Sequence, residues 1–179
     1  MVEIKKLEIL LSNPTLNWGH NGYKTDKIFM VSTIEMGNSF EFSIREKFQP
    51  YLKTWDLHDQ DILELNEIIR KGHSFGAFHH EELIGWAICD IREDNNSLSI
   101  QNMLISEQFR RQNIGRLLIK NINKKARELQ CRIVELEIQN TNYPAIKFYQ
   151  NAGFRWTGIN TKLYNDSTET ALFMSFDVV

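Results

Sequence analysis

Apolar residues recur along the chain with two different spacings, and the switches between them predict its elements. Residues 60–71 place Ile62, Leu65, Ile68 and Ile69 at helical spacing, and Gly72 supplies a stop. Before that helix, Val2 to Leu11 reads as a weak strand, followed by a polar loop carrying Asn13-Pro14 and His20-Asn21-Gly22. Lys27 to Ile34 is rich in strand-forming residues. After the helix, Ser74–His80 and Leu83–Ile91 read as strands joined across His79-His80-Glu81-Glu82. Leu98 to Ile105 follows as a third strand, after the turn signal Asp94-Asn95-Asn96.

Past Ile105 the period changes to that of a helix. Ile114, Leu117, Leu118, Ile122, Ala126 and Leu129 form one apolar stripe, while Arg116, Lys120, Lys124 and Arg127 form a basic stripe elsewhere on the cylinder. Ile133–Ile138 reads as a buried strand, and Pro144 opens a short helix through Gln150 that Ala152-Gly153 closes. Phe154–Tyr164 and Thr170–Val178 complete the order as two strands. A helix crossing between two strands within a mostly strand-built chain predicts an α/β fold with a mixed sheet and a right-handed crossover.

A length of 179 residues suits a single domain, 1–179, with residues 1–72 as a substrate-side portion and 73–179 as the core. Two cysteines, Cys89 and Cys131, support no disulfide framework and no CxxC metal site. The charged N-terminus MVEIKKLEIL matches neither a signal peptide nor a membrane span, so a cytoplasmic protein with no membrane partner is expected. The net charge of −2 conceals a strong division. Residues 1–108 carry −7, residues 109–132 carry +7, and residues 133–179 carry −2. A short basic island in an acidic chain favours a local anionic ligand over nucleic acid, which calls for a broader basic face.

The island contains Phe109-Arg110-Arg111-Gln112-Asn113-Ile114-Gly115-Arg116, between a strand and an amphipathic helix. Backbone amides converging at a helix N-terminus favour a phosphate. Taken alone, the stretch reads equally as an ordinary strand-to-helix turn.

A second motif, Asn142-x-x-Ala145-x-x-Phe148-Tyr149-x-x-x-Gly153-Phe154, follows the strand Glu135-Leu136-Glu137-Ile138. With the turn above, it resembles the GNAT superfamily of N-acetyltransferases over about the last hundred residues. The family's phosphate loop, Gln/Arg-x-x-Gly-x-Gly/Ala, falls on Arg110, Asn113 and Gly115. Asn113 replaces the first glycine, and Asn tolerates a left-handed backbone better than most residues. The resemblance implies a mixed, mostly antiparallel sheet of six to seven strands with a splayed parallel pair, flanked by about four helices. It implies acetyl-CoA as cosubstrate, its pantetheine on the backbone of Met103, Leu104 and Ile105. The pyrophosphate would sit on the amides of Arg110, Arg111, Gln112, Asn113, Ile114 and Gly115, continuing into Arg116. Further cofactor contacts would come from Asn142, Ala145, Phe148 and Tyr149.

Such enzymes let the amine attack the thioester directly, so no Ser or Cys nucleophile is required. By resemblance, Tyr149 is the general acid that protonates the departing thiolate; by its setting beside Phe148 it also reads as a core aromatic. Asn142 hydrogen-bonds pantetheine, caps the Pro144 helix, or does both. Related enzymes often carry a carboxylate on the central strand, where this chain has Gln101-Asn102, and an amide takes no proton at neutral pH. Glu137 is the remaining candidate, as a base through water, an anchor for a cationic substrate, or a carboxylate paired with a basic neighbour. His73, His79 and His80 read as surface residues rather than catalytic ones.

Three further stretches resemble the streptothricin acetyltransferase branch. Pro50-Tyr51-Leu52-Lys53 precedes an acidic segment containing Asp56, Asp59, Asp61, Glu64 and Glu67. Leu136-Glu137-x-Gln139-Asn140 and Asn160-Thr161-Lys162-Leu163-Tyr164 resemble the other two. That branch implies a small cationic amine as acceptor, drawn in by the acidic segment. The expected activity is acetyl transfer to such an amine by a monomer or homodimer. A protein or peptide N-acetyltransferase and a non-catalytic acyl-CoA-binding module are the alternatives.

Overall fold

The computed structural model describes residues 1–11, 22–55, 57–166 and 168–178. The turn signals Asn13-Pro14 and His20-Asn21, and Asp56 of the acidic segment, lie outside these residues. The strands are β1 (Val2–Lys6), β2 (Gly22–Met36), β3 (Ser39–Thr54), β4 (Phe75–His79), β5 (Glu82–Arg92), β6 (Ser97–Ile105), β7 (Ile133–Gln139), β8 (Arg155–Asn160) and β9 (Ala171–Asp177). The helices are α1 (Asp59–Ile69), α2 (Ile114–Glu128) and α3 (Tyr143–Asn151), with one 3-10 turn at Glu107–Phe109. Three α-helices and a single short turn among the described residues stand where about four helices were expected.

Seven strands form one sheet in the order β1-β4-β5-β6-β7-β9-β8, and β2 and β3 form a separate ribbon. The pairs β1–β4, β4–β5 and β5–β6 are antiparallel and β6–β7 is parallel, which is the mixed, mostly antiparallel α/β sheet expected. The parallel register runs from Ser97↔Ile133 to Ile100↔Leu136. Beyond it β6 continues to Ile105, paired with Gly85 of β5. The chain packs as two compact units, one from residues 1–21, 54–136 and 175–179, the other from 22–53 and 137–174.

In the first unit α1 packs on β5, and α2 packs on β1, β4, β5 and β6. Leu7, Leu10, Ile62, Ile69, Trp86 and Ile88 form a buried cluster. Buried Asn66 is satisfied in both directions by Leu10, whose N–H donates to Oδ1 (2.7 Å) and whose carbonyl accepts from Nδ2 (2.8 Å). Asp61 accepts the His58 backbone N–H at 2.8 Å, closing the first turn of α1, and Gly72 ends the segment at φ +84°. The His80-Glu81 link between β4 and β5 takes positive φ at both residues, the geometry that matches strand twist in a two-residue hairpin. Helix α2 buries Ile114, Gly115, Leu118, Ile119, Ile122 and Ala126. Leu117, expected in the buried stripe, is exposed, and Ile119 takes the inward position instead. The first strand ends at Lys6, one residue before buried Leu7, whose N–H still donates to the Ser74 carbonyl (3.0 Å).

In the second unit β2 runs from Gly22 to Met36, well beyond the predicted 27–34, and turns at Gly37, φ +55°, into β3. Helix α3 packs on β2, where Phe29 stacks on Tyr143 (5.3 Å) and meets Trp156 edge-on (5.6 Å). Strand β8 ends at Asn160, not at Tyr164 as the sequence suggested. The Asn160 side chain accepts the Lys162 N–H at 2.9 Å, an Asx-type turn that takes the chain out of the strand.

Candidate active site

The turn that leads into α2 carries two residues in a left-handed backbone conformation. Arg111 (φ +64°) and Asn113 (φ +63°) are both left-handed, and Asn113 is the N-cap of α2. Alternating left-handed residues beside a helix start aim successive amides at one point. The first helical bond from the cap is the Leu117 N–H to the Asn113 carbonyl (3.1 Å). The amides of Ile114, Gly115 and Arg116 therefore belong to the first turn, whose donors have no partner inside a helix. No acidic residue stands in that turn, while Arg116, Lys120, Lys124 and Arg127 lie exposed along the helix. Gly115 is buried within the helix itself rather than in the turn.

The turn is fastened to the end of β6. The Arg110 Nε–H donates to the Ile105 carbonyl (3.0 Å), the Ser106 N–H to the Ile84 carbonyl (2.9 Å), and Gln112 Nε2 to the Gln108 carbonyl (3.1 Å). Met103, Leu104 and Ile105 lie past the end of the parallel register, paired through β5 to Ala87, Trp86 and Gly85. The β5–β6 register shifts between Ile88↔Asn102 and Cys89↔Ile100, so Gln101 is the extra residue of a bulge. Gln101 Nε2 donates to Ser99 Oγ (2.8 Å), and Asn102 Oδ1 accepts the indole N–H of fully buried Trp86 (2.8 Å). Both amides are thus occupied in holding β6.

In the second unit Asn142 is the N-cap of α3, its Oδ1 accepting the Ala145 N–H at 3.3 Å, with Pro144 in the first turn. Tyr149 lies on the inner face of α3, buried, with its ring edge-on to Phe148 (5.1 Å) and Phe154 (5.2 Å). Ala145 and Phe148 are half-buried on the same helix. Gly153, φ +101°, ends the helix as expected.

Glu137 projects outward from β7, flanked by buried Leu136 and Ile138. It is paired with no basic residue among the described ones; its partner is the Tyr164 hydroxyl, which donates to Oε1. The Tyr164 phenol is held protonated well above its ordinary range, first by burial and then by the Glu137 carboxylate.

Close to this pair in the same unit is a carboxylate that the sequence did not single out. Glu169 is 3% exposed and accepts from Lys53 Nζ (2.5 Å), Tyr51 Oη (3.2 Å) and Thr141 Oγ1 (2.9 Å). Thr141 Oγ1 also meets Tyr23 Oη at 2.6 Å. Burial, opposed by the Thr141 bond, raises the Tyr23 phenol, and burial with the Glu169 charge raises that of Tyr51. The signal available for Glu169 was its place in a short polar run between two strands, shared by many surface loops.

The remaining candidates lie elsewhere. Of the acidic segment, Asp61 caps α1, Glu64 accepts from Gln60 (3.0 Å) and Glu67 pairs with Arg70, all on that helix. His80 is exposed, whereas His73 and His79 are half-buried, and burial with the Lys125 charge lowers the His73 imidazole. No group of three or more metal-ligating side chains is assembled among the described residues. No described helix is long and apolar enough to cross a membrane.

The turn at 110–113 and helix α2 thus cross between the two strands of the parallel pair, β6 and β7, in a mixed sheet. Residues 41–154 match the Acetyltransferase (GNAT) family, and the chain belongs to it. The streptothricin acetyltransferase of Escherichia coli is 30% identical over 158 residues, 86% of this chain and 84% of that protein. The streptothricin acetyltransferase of Streptomyces lavendulae is 33% identical over 97 residues, about half of each chain (52% and 51%). Among solved structures, a nourseothricin acetyltransferase superposes with a TM-score of 0.76 at 23% identity, over 99% of both chains. A Bacillus anthracis structure described as a streptothricin acetyltransferase in complex with acetyl coenzyme A superposes with a TM-score of 0.74 at 23% identity, again over 99% of both. At that identity both likenesses speak to the fold.

Proposed function

We propose that this protein transfers the acetyl group of acetyl-CoA to a primary amine of a small cationic antibiotic of the streptothricin type, acting in the cytoplasm as one catalytic domain. The observation that carries the reading is the 30% identity with the Escherichia coli streptothricin acetyltransferase over most of both chains. The turn at Arg110–Arg116 fits the anionic end of acetyl-CoA, because it combines left-handed cap residues, first-turn amides and exposed basic side chains without a competing carboxylate. Met103, Leu104 and Ile105, past the end of the parallel register, offer backbone groups to the pantetheine arm. Acetyl-CoA supplies an acetyl group activated as a thioester.

The residues divide the remaining work. Glu137 draws the acceptor ammonium by charge and takes its proton through water, so that the neutral amine attacks the thioester carbonyl directly. Tyr149 gives its hydroxyl proton to the departing sulfur, and its burial against Phe148 and Phe154 fixes the ring for that transfer. Gln101 and Asn102 serve the strand and not the proton.

A thiol-release assay with acetyl-CoA and streptothricin, spermidine, an aminoglycoside and a short peptide tests the proposal. Streptothricin should be turned over fastest. Turnover of the peptide alone would replace this reading with that of a peptide N-acetyltransferase, and no turnover with saturable acetyl-CoA binding would leave an acyl-CoA-binding module.

A further inference from the structure

We infer that Tyr164 is a positioning residue for the acceptor: its hydroxyl holds Oε1 of Glu137, so that the carboxylate presents one fixed oxygen to the incoming ammonium. The inference rests on the reading of Glu137 given above and adds to it Tyr164, the last residue of the 160–164 stretch, to which the sequence alone assigned no role.

Four observations carry it. Tyr164 lies in the loop after β8, while Glu137 lies on β7, and the phenol reaches across to donate to the carboxylate. Glu137 is exposed on its strand, and an exposed glutamate samples several rotamers unless something restrains it. A phenol raised by burial and by Glu137, with the charge of Glu169 and the phenol of Tyr23 adding to the effect, remains a donor throughout the working pH range. The loop that carries Tyr164 is anchored independently of it. Glu169 is locked by Lys53, Tyr51 and Thr141, its N–H donates to the Asp166 carbonyl (3.1 Å), and the Thr170 N–H donates to Asn140 Oδ1 (2.7 Å). Asn140 in turn donates through Nδ2 to the Phe29 carbonyl (2.7 Å). The buried anchor sits five residues beyond Tyr164 in the chain and fixes where the loop returns to the sheet.

Tyr164→Phe removes the hydroxyl and keeps the ring, so the anchored loop stays in place. With streptothricin as acceptor, the variant should raise the amine KM about 10-fold, the scale of one hydrogen bond to a charged group, with a smaller fall in kcat because the same carboxylate takes the proton, and with the KM for acetyl-CoA unchanged. Glu137→Asp, which keeps the charge but withdraws it by one methylene, should raise the amine KM similarly. In a Glu137→Gln background, Tyr164→Phe should add nothing further, because the two residues act as one unit.

Wild-type amine KM in Tyr164→Phe or in Glu137→Asp, with Glu137→Gln impaired, overturns the positioning role and leaves the Glu137 reading standing. So do effects of Tyr164→Phe and Glu137→Gln that multiply in the double variant. Unimpaired Glu137→Gln overturns the reading of Glu137 itself, as does a wild-type enzyme that leaves streptothricin untouched, and the inference falls with either.

Discussion

Lys53 and Glu169 form an ion pair at 2.5 Å in which the carboxylate side chain is 2% exposed and the ammonium-bearing one 29%. The pair joins β3 to the loop before β9, and both phenols and the threonine around it point their hydroxyls at the same carboxylate or at each other. A carboxylate buried this deeply is tolerable only because a cation and two hydroxyls replace its water.

Removing one partner should therefore cost far more than removing both. Lys53→Met leaves the Glu169 charge buried without its cation, and the expected loss is about 3 kcal/mol, roughly a 10 °C fall in Tm for a chain of this size. Adding Glu169→Gln should restore much of it. Calorimetric Tm values for the two single variants and the double variant check this, and equal, additive losses would show the pair to be uncoupled.

Tyr149→Phe should lower kcat by about 100-fold, a typical share for a positioned general acid, while acetyl-CoA binding by calorimetry stays the same. A variant as fast as the wild type would return Tyr149 to the role its burial against Phe148 and Phe154 already gives it, that of a core aromatic.

A phosphate held at the turn before α2 would meet backbone amides, so the test of that proposal is conformational. Asn113 at φ +63° should accept glycine without loss of acetyl-CoA affinity. Asn113→Val places a β-branched residue in a left-handed conformation at a cost of about 1–2 kcal/mol, and acetyl-CoA should bind about 10-fold more weakly. Equal affinity in both variants would mean that the turn does not hold the phosphates.

Alkaline stability follows from three phenols. Tyr23, Tyr51 and Tyr164 all hold their protons in the folded chain to higher pH than they would unfolded, each chiefly through burial. The unfolded chain releases those protons as pH passes about 10, whereas the folded chain retains them. Stability is thus fully present below that pH and declines as pH rises through the window above it. Tyrosinate absorbance should therefore show part of the five tyrosines titrating only as the protein unfolds, and a single early transition for all of them would contradict the packing.

What the sequence missed has identifiable physical causes. Strand β3 was overlooked although Phe40, Phe42 and Ile44 alternate with polar residues, because Pro50 and the charges of Arg45, Glu46 and Lys47 mask the period. A proline and frequent charge are what a two-stranded ribbon tolerates, since its outer edges pair with nothing in the ribbon. Leu117 matched the helical spacing of its stripe yet faces outward, because it sits at the margin of the amphipathic face, where packing decides the side. Tyr164 continued a strand-like run, but the Asn160 side chain turned the backbone before it.

Local sequence determined the parts of this protein whose physics is local. Asn113 marked where the turn meets α2, Asn142 and Pro144 marked the start of α3, and most of the order of elements along the chain followed from period and turn residues. The division of charge into a basic island and acidic flanks was likewise written in the chain. Only tertiary structure decided the partners of the carboxylates. Glu137 meets Tyr164, 27 positions away, and Glu169 meets Lys53, 116 positions away, across separations that no spacing rule spans. The buried Glu169 charge selects its partners by desolvation, which exists only once the distant segments have closed around it, while exposed Glu137 meets Tyr164 because the fold brings the loop after β8 to β7.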